Sequence, residues 1–258
     1  MSIDDLYKYI STRKENSEFA GRKLQSFDGR EDFTGTKSYE EAISLMKHGS
    51  KDISVKLNGV LNKKEIKQST NELIKRNVYD VVGFQPSVPR YLQGVPNSMI
   101  NQKNYMKKVK VVTITKNISY PAFVEQEKII DESAKILSVV RYLESKGVRV
   151  NVNLFFGVYG IYQTKKECMV AKIRVKNANE RLNISKLSFV MCHPSMLRRI
   201  MFRLLEVCED APRGCNRLYG KPFVLSNQML RFAKENEICF PSLVGEIPEL
   251  LEQFNNLL

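Results

Sequence analysis

The sequence lacks tryptophan, holds only two histidines, and has no apolar run long enough to cross a membrane among its 258 residues. A transmembrane helix needs about 20 mostly apolar residues. The start of the chain, MSIDDLYKYI, carries acidic residues where a signal peptide has a basic segment. We therefore expect a cytoplasmic protein, in a host cell or a virion if a phage encodes it, with no membrane partner.

Cysteine is too sparse and too irregularly spaced to predict a disulfide framework or a zinc site. The five cysteines are Cys168, Cys192, Cys208, Cys215 and Cys239. Their number is odd, no pair is separated by two residues, and only His48 and His193 could complete a zinc site. We expect reduced, mostly buried thiols and neither a metal nor another cofactor.

Glycine-rich phosphate loops are also missing, since neither GxGxxG nor a Walker sequence occurs. This absence argues against a dinucleotide site of the Rossmann type. If phosphate binds at all, side chains must hold it.

Positive charge is abundant and unevenly placed. Lys and Arg total 41 against 28 Asp and Glu, a net charge of +13. Residues 101–240 hold 25 basic and 12 acidic residues, whereas residues 241–258 hold three acids and no base. Such an excess favours a polyanion such as nucleic acid, or an acidic protein surface. Lysine as a default surface residue would produce the same composition.

The second half of the chain alternates between strand and helix patterns. VKVVTIT (109–115) is a β-branched run typical of a buried strand, a long amphipathic helix follows to Gly147, and residues 148–162 predict a second strand. ECMVAKIRVK (167–176) and ICFPSLV (238–244) predict two more strands. This order predicts an α/β fold with a mostly parallel, Rossmann-like sheet flanked by helices.

The first hundred residues predict a helical and irregular extension. Ser38 and Glu41 have capping-box spacing and begin a helix, and Asn62 with Glu65 repeats it. ISVKLNGVLN (53–62) predicts a short strand, and residues 85–100 an extended loop with one helical turn at 90–93. We expect an extension at 1–104 packed on an α/β domain at 105–258.

The turn after the first strand carries polar residues at Lys116, Asn117 and Ser119. A strand, this turn, a long helix and a second strand together resemble the start of a von Willebrand factor A-type domain. That family places Asp-x-Ser-x-Ser at the turn to hold a divalent cation. Here the acid is replaced and the second serine is missing, so the resemblance implies the fold and a degenerate ion site.

Two other segments resemble parts of uncharacterised phage and bacterial proteins. They are PSVPRYLQGVPNSM (86–99) and HPSMLRRIMFRLLE (193–206). The resemblance implies a phage or mobile-element origin and carries no activity.

Three basic clusters are the candidate nucleic-acid contacts. Guanidinium groups bind phosphates in a two-pronged geometry, and nearby tyrosines could stack on bases. The candidates are Lys107, Lys108 and Lys110; Arg198, Arg199 and Arg203; and Arg213, Arg217 and Lys221. The alternative for the arginines is an internal role, paired with acids such as Glu206, Glu209 and Asp210.

Candidate catalytic groups are weaker. Asp28, Glu31 and Asp32 form an acidic cluster that a metal-dependent nuclease could combine with another acid such as Asp80. A solvated loop is the alternative. Cys192 and His193 are adjacent and therefore make a poor nucleophile–base pair, so His193 is better interpreted as a helix cap.

The sequence therefore predicts, first, a non-catalytic protein that binds nucleic acid through a basic surface without sequence preference. The alternatives are a virion, assembly or protein-interaction scaffold, in which the charge serves an acidic partner, and a metal-dependent nuclease. Whether any catalytic activity exists stays open.

Overall fold

A computed structural model describes residues 1–62, 74–105, 110–215, 219–223, 231–234 and 237–243. Its helices in chain order are α1 (Ile3–Thr12), α2 (Gln25–Asp28), α3 (Glu31–Thr34), α4 (Tyr39–His48), α5 (Lys51–Asn62), α6 (Val88–Leu92), α7 (Gln126–Ser145), α8 (Ile184–Cys192), a π-helix (Met196–Met201) and α9 (Phe202–Val207). Its strands are β1 (Ile74–Asp80), β2 (Gln85–Pro86), β3 (Met99–Tyr105), β4 (Val111–Asn117), β5 (Arg149–Tyr162), β6 (Lys165–Lys176), β7 (Lys221–Pro222) and β8 (Glu237–Phe240).

The larger sheet has the order β6–β5–β4–β8, with β7 also paired to β5. Strand β4 runs parallel to both β5 and β8, while β6 and β7 are antiparallel to β5. The predicted α/β class is confirmed, including the parallel strands at the middle of the sheet. The predicted strands at 109–115, 148–162, 167–176 and 238–244 correspond to β4, β5, β6 and β8.

The hydrophobic core lies between this sheet and its helices. Alternate residues of β5, such as Val150, Val152 and Leu154, are completely buried, and α7 packs against that strand. Helix α7 is the predicted long helix, and Gly147 follows it with φ 78°, a conformation that glycine adopts at low cost.

Residues 1–62 pack directly on this core. Helix α4 contacts α8, and α5 contacts both α7 and α8. The capping interaction predicted for α4 is confirmed, because the amide of Glu41 donates to Ser38 Oγ at 3.2 Å. The predicted strand at 53–62 is wrong: this segment is α5, since Ile53 and Leu57, four residues apart, share one buried helical face.

Residues 74–105 form a separate three-stranded antiparallel sheet with the order β1–β3–β2. Its strands pack on one another and at most slightly on any other described helix or strand. The helical turn predicted at 90–93 is present as part of α6. The loop predicted around it contains ordered strands as well, because three prolines do not prevent pairing at the edge position of β2.

Some predictions fall on residues that are not described. Lys107, Lys108 and Arg217 lie outside the described residues, as does most of the helix predicted after Asn62. Within the described part of the chain, no helix combines the length and apolarity needed to cross a bilayer.

Candidate functional site

A cavity of about 550 Å³ opens beside the carboxyl end of β4. The turn after that strand contributes Ser119 and Tyr120, and β5 contributes Phe156 and Val158. The rest of the wall comes from distant segments, namely Gln25, Asp28, Arg30, Phe33, Leu197, Arg198, Phe202 and Tyr219. In α/β sheets this edge is where ligands usually bind, and the volume is in the range of small-molecule sites, about 300–1,000 Å³.

The turn of the predicted degenerate ion site is buried and internally bonded. The Lys116 ammonium donates to the carbonyls of Ser242 at 2.7 Å and Pro241 at 3.2 Å, and burial lowers the pKa of this lysine to about 7. The Asn117 amide donates to the Phe223 carbonyl. Lys116 and Asn117 therefore hold neighbouring backbone in place, and an amine at this position is a poor cation ligand.

Ser119 connects this turn to both the sheet and the cavity. Its amide donates to Asn117 Oδ1 at 2.9 Å, and its hydroxyl oxygen accepts from the Gly157 amide at 2.8 Å. The hydroxyl proton is left to donate elsewhere, and Ser119 lines the cavity. The turn is therefore one polar wall of the cavity.

Arg198 is almost fully buried and still lines the cavity. Its guanidinium donates to the carbonyls of Phe33 at 2.6 Å, Ala122 at 3.0 Å and Val124 at 3.3 Å, and it lies 4.3 Å from the centre of the Phe33 ring. A guanidinium has five N–H donors, so these three bonds with described residues leave capacity for a ligand. Burial lowers the pKa of Arg198, but arginine stays charged in proteins.

Arg199 is completely buried, so its predicted role as a phosphate contact is wrong. Its guanidinium donates five hydrogen bonds to the segment 26–36: to the carbonyls of Ser26, Phe27, Gly29 and Thr36 and to the Thr36 hydroxyl, at 2.7–3.1 Å. These bonds use its whole donor set. The internal alternative is confirmed, although the partners are backbone carbonyls rather than the acids considered.

Arg203 is buried as well and binds the segment before α2. It donates to Glu15 Oε1 at 2.7 Å and to the Arg13 carbonyl at 3.2 Å, and it lies 3.6 Å from Glu206 Oε2. The predicted phosphate contact is wrong here too. Arg198, Arg199 and Arg203 therefore form an arginine clamp that fixes residues 13–36 to the α/β core.

A buried carboxylate completes this attachment. Glu206 accepts from the Ser26 hydroxyl at 2.5 Å and from the Tyr219 hydroxyl at 2.6 Å. Burial raises the pKa of Glu206, while these hydrogen bonds and Arg203 oppose the rise. Tyr219 has φ 57°, which is unusual for a non-glycine residue and common near functional sites. Its ring stacks on Phe202 at 4.2 Å, in the cavity wall.

The other predicted basic contacts do not form one surface. Arg213 is exposed and pairs with Glu167 at 2.7 Å. Lys221 is exposed beside Gly220 and Pro222 at the cavity. Lys110 precedes β4 at its amino end, whereas Lys221 pairs with Tyr159 far along β5, so they lie about 35 Å apart along the sheet.

The predicted acidic cluster is dispersed. Asp28 lies at the cavity, Asp32 pairs with Arg30 at 3.2 Å, and Asp80 pairs with Lys103 at 2.7 Å in the small sheet. Across the described ranges, no three His, Cys, Asp or Glu residues are placed to hold a metal. The structure thus does not bring together the acids that the nuclease alternative requires.

The cysteines and His193 have the environments of structural residues. All five thiols are free, Cys192 and Cys215 are buried, and Cys168 is exposed. Burial raises the pKa of Cys192 to about 12 and lowers that of His193 to about 4. His193 ends α8 and its Nδ1 accepts from the Ser195 amide at 3.1 Å, which confirms the helix-cap interpretation.

Sequence reasoning missed the cavity itself. Gln25, Arg30 and Phe33 are about 90 residues from Ser119 and about 170 from Arg198, so no local motif joins them. The available signals were the position after β4 and the arginines within an otherwise apolar helical segment, where charged side chains need partners.

Comparison with known proteins gives one match. A family model described as "Domain of unknown function (DUF7192)" matches residues 1–255. Neither a curated protein nor a solved structure matches the chain.

Proposed function

Because the chain belongs to the DUF7192 family, whose description names no activity, its chemistry has to be inferred from the cavity, and we propose that it binds a small organic anion that carries a flat ring. A nucleoside monophosphate is the simplest biological example of this class. The observation that carries the proposal is the buried guanidinium of Arg198 in the cavity wall.

The walls support a ring-shaped ligand. Five aromatic residues line the cavity: Phe33, Tyr120, Phe156, Phe202 and Tyr219. Aromatic side chains present flat apolar faces that favour offset stacking on another ring. A few polar groups among apolar walls are typical of small-molecule sites, where they fix the orientation of the ligand.

The charges support an anionic group on that ligand. Arg198 lies in the wall, Arg30 is exposed at the mouth, and Lys221 is exposed next to it. Arginine binds phosphate and carboxylate through paired N–H groups. Because no glycine-rich loop is present, these side chains and Ser119 would supply the donors. Asp28 and Gln25 could accept from an amine or hydroxyl elsewhere on the ligand.

Calorimetric titration with defined probes tests this proposal. The probes are AMP, UMP, adenosine and inorganic phosphate, and we expect the two monophosphates to bind more tightly than either fragment. Ala122→Trp introduces a large side chain from an exposed cavity position, and we expect it to weaken binding at least tenfold, about 1.4 kcal/mol. Phe123→Trp, at the exposed neighbouring position, is the matched control and should bind normally.

Charge at the mouth is tested separately. Arg30→Gln should weaken monophosphate binding and leave adenosine unaffected, while Arg181→Gln at a distant exposed site changes neither. If no probe binds at millimolar concentration, or if Ala122→Trp binds all probes as tightly as the wild type, the proposal is wrong.

Sequence-nonspecific nucleic-acid binding is the second candidate, supported by the net charge of +13. The buried arginine clamp leaves exposed residues such as Lys110 and Lys221 as the contacts. Labelled single- and double-stranded oligonucleotides should then bind with a steep salt dependence, a slope of about −0.7 per phosphate contact on single strands. Ala122→Trp should not affect this binding, which separates it from the cavity ligand. Salt-independent binding, or none at low salt, would exclude it.

We also propose the von Willebrand A-type arrangement for the α/β part. The succession of β4, the polar turn, α7 and β5 supports it. The cation of that family is not part of the proposal, since Lys116 and Asn117 are engaged with backbone carbonyls. The phage origin and the cytoplasmic location stay predictions.

A further inference from the structure

The small sheet exposes an unusual concentration of apolar side chains at one end, here called the tip (residues 79–92). Of the fifteen large hydrophobic residues that are exposed in the described chain, seven lie in the tip, with exposed fractions from 52% to 79%. They are Tyr79, Val81, Val82, Phe84, Val88, Tyr91 and Leu92. Single exposed apolar residues are ordinary, whereas a contiguous group marks an interaction surface.

The tip is held together by its own interactions. Strand β3 pairs with β1 on one side and β2 on the other, so the 81–84 connection and α6 meet at one end of β3. The Arg90 guanidinium lies 4.2 Å from the Tyr79 ring centre and donates to the Asn97 carbonyl at 3.1 Å. The Ser87 amide donates to the Ser98 carbonyl at 2.7 Å. A surface ordered before binding loses less conformational entropy when a partner docks.

We propose that the tip is a docking surface for an acidic protein partner. The small sheet carries four basic residues, Lys75, Arg76, Arg90 and Lys103, against the single acid Asp80. An apolar centre with a charged rim is the usual anatomy of a protein interface, and complementary charge accelerates and orients the encounter. The partner therefore presents an apolar patch surrounded by carboxylates.

The same observations disfavour two other occupants. A second copy would bring two chains of net charge +13 together, and like charges facing each other oppose association. Lipid chains cannot hydrogen-bond the exposed polar groups among the apolar residues, such as Gln85, Gln93 and the Asp80–Lys103 ion pair. A protein surface can.

The test starts with a photo-crosslinking amino acid at position 82 in the full chain, produced in its own cells. Position 55, where Val55 is 70% exposed on α5, is the matched control site. Crosslinked proteins are identified by mass spectrometry, purified and titrated with the unmodified chain. We expect a protein of net negative charge that crosslinks at 82 and not at 55. Its affinity should fall with salt and fall at least tenfold for Val82→Asp and for Leu92→Asp, but not for Val55→Asp.

Other occupants give different results, each of which overturns the proposal. A crosslink within the chain, or a dimer by light scattering that Val82→Asp dissociates, identifies the tip as a self-contact. Co-sedimentation with phosphatidylglycerol–phosphatidylcholine vesicles, or oligonucleotide binding, that Val82→Asp abolishes identifies a membrane or nucleic-acid surface. Equal crosslinking at 82 and 55 means that no specific partner docks there. Unchanged circular dichroism melts show that the variants are folded.

Discussion

At the scale of single residues, the most consequential feature is the burial of groups that are ordinarily charged. Arg199, Lys116 and Glu206 are all fully buried, and each is surrounded by hydrogen-bond partners. An unpaired buried charge is costly, so these partners are required for folding. The spacing of Arg199 and Arg203 indicates that they share a helical face, but spacing alone cannot tell whether water or backbone covers that face.

His193 should make the protein sensitive to acid. Burial lowers the pKa of His193 to about 4, with Glu41 nearby opposing the shift, whereas an unfolded histidine titrates near 6.5. Between these values the unfolded chain binds the proton and the folded chain does not, so stability present above pH 6.5 is lost as the pH falls toward 4. We expect this group to account for a loss of about 3 kcal/mol over that window.

Chemical denaturation at a series of pH values measures this effect. His193→Asn keeps an acceptor for the Ser195 amide and should flatten the slope of unfolding free energy between pH 6.5 and 4. His48→Asn, at an exposed position, should retain the wild-type slope. An unchanged slope in His193→Asn would show that other groups cause the acid sensitivity.

At the scale of elements, β4, α7 and β5 could be predicted because their patterns are local and long. Helix α5 could not, because the β-branched residues of ISVKLNGVLN favour a strand, and only packing on α7 and α8 decides for the helix. The cavity could not be predicted either. It is assembled from α2, α3, the turn after β4 and the π-helix, whose proximity is a property of the whole fold.

Close approach of β5 to a neighbouring loop yields a prediction for two glycines. A Cβ at Gly160 would lie 2.2 Å from the Arg213 carbonyl oxygen, whereas a Cβ at Gly59 in α5 would meet nothing within 4 Å. We expect Gly160→Ala to lower the free energy of unfolding by about 2–3 kcal/mol through overpacking. Gly59→Ala should raise it by about 0.5–1 kcal/mol through helix propensity. Urea denaturation measures both, and equal effects would contradict the close approach.

At the scale of the whole molecule, the arginine clamp makes residues 13–36 part of the core. The segment contributes a wall of the cavity and receives hydrogen bonds from all three clamp residues. The predicted extension is thus firmly attached over this part. The charge that suggested a nucleic-acid surface is partly used inside the protein, which composition cannot reveal.

Arg199→Met should separate the stabilities of these parts. Its loss leaves several buried carbonyls without a donor, each costing about 1–3 kcal/mol, so we expect destabilisation of at least about 3 kcal/mol. Native-state hydrogen exchange should show residues 26–36 and α7 opening together in the wild type, and the 26–36 segment opening first in the variant. Arg181→Met, at an exposed position, should change neither. Independent opening of the segment in the wild type would show that the clamp is not cooperative with the core.

The π-helix at Met196–Met201 has a further consequence for how this chain tolerates insertions and deletions. The Phe202 amide donates to the Leu197 carbonyl, five residues back, so this turn holds more residues than an α-helical one. Removing a single residue here would restore ordinary α-helical winding, but it would rotate everything before the deletion by about 100° relative to everything after it. Ser195, which binds Thr34, and Glu206, which binds Ser26, could then no longer reach the same N-terminal segment. The length of this stretch is therefore constrained more tightly than its composition, and we expect relatives to vary its apolar residues while keeping their number.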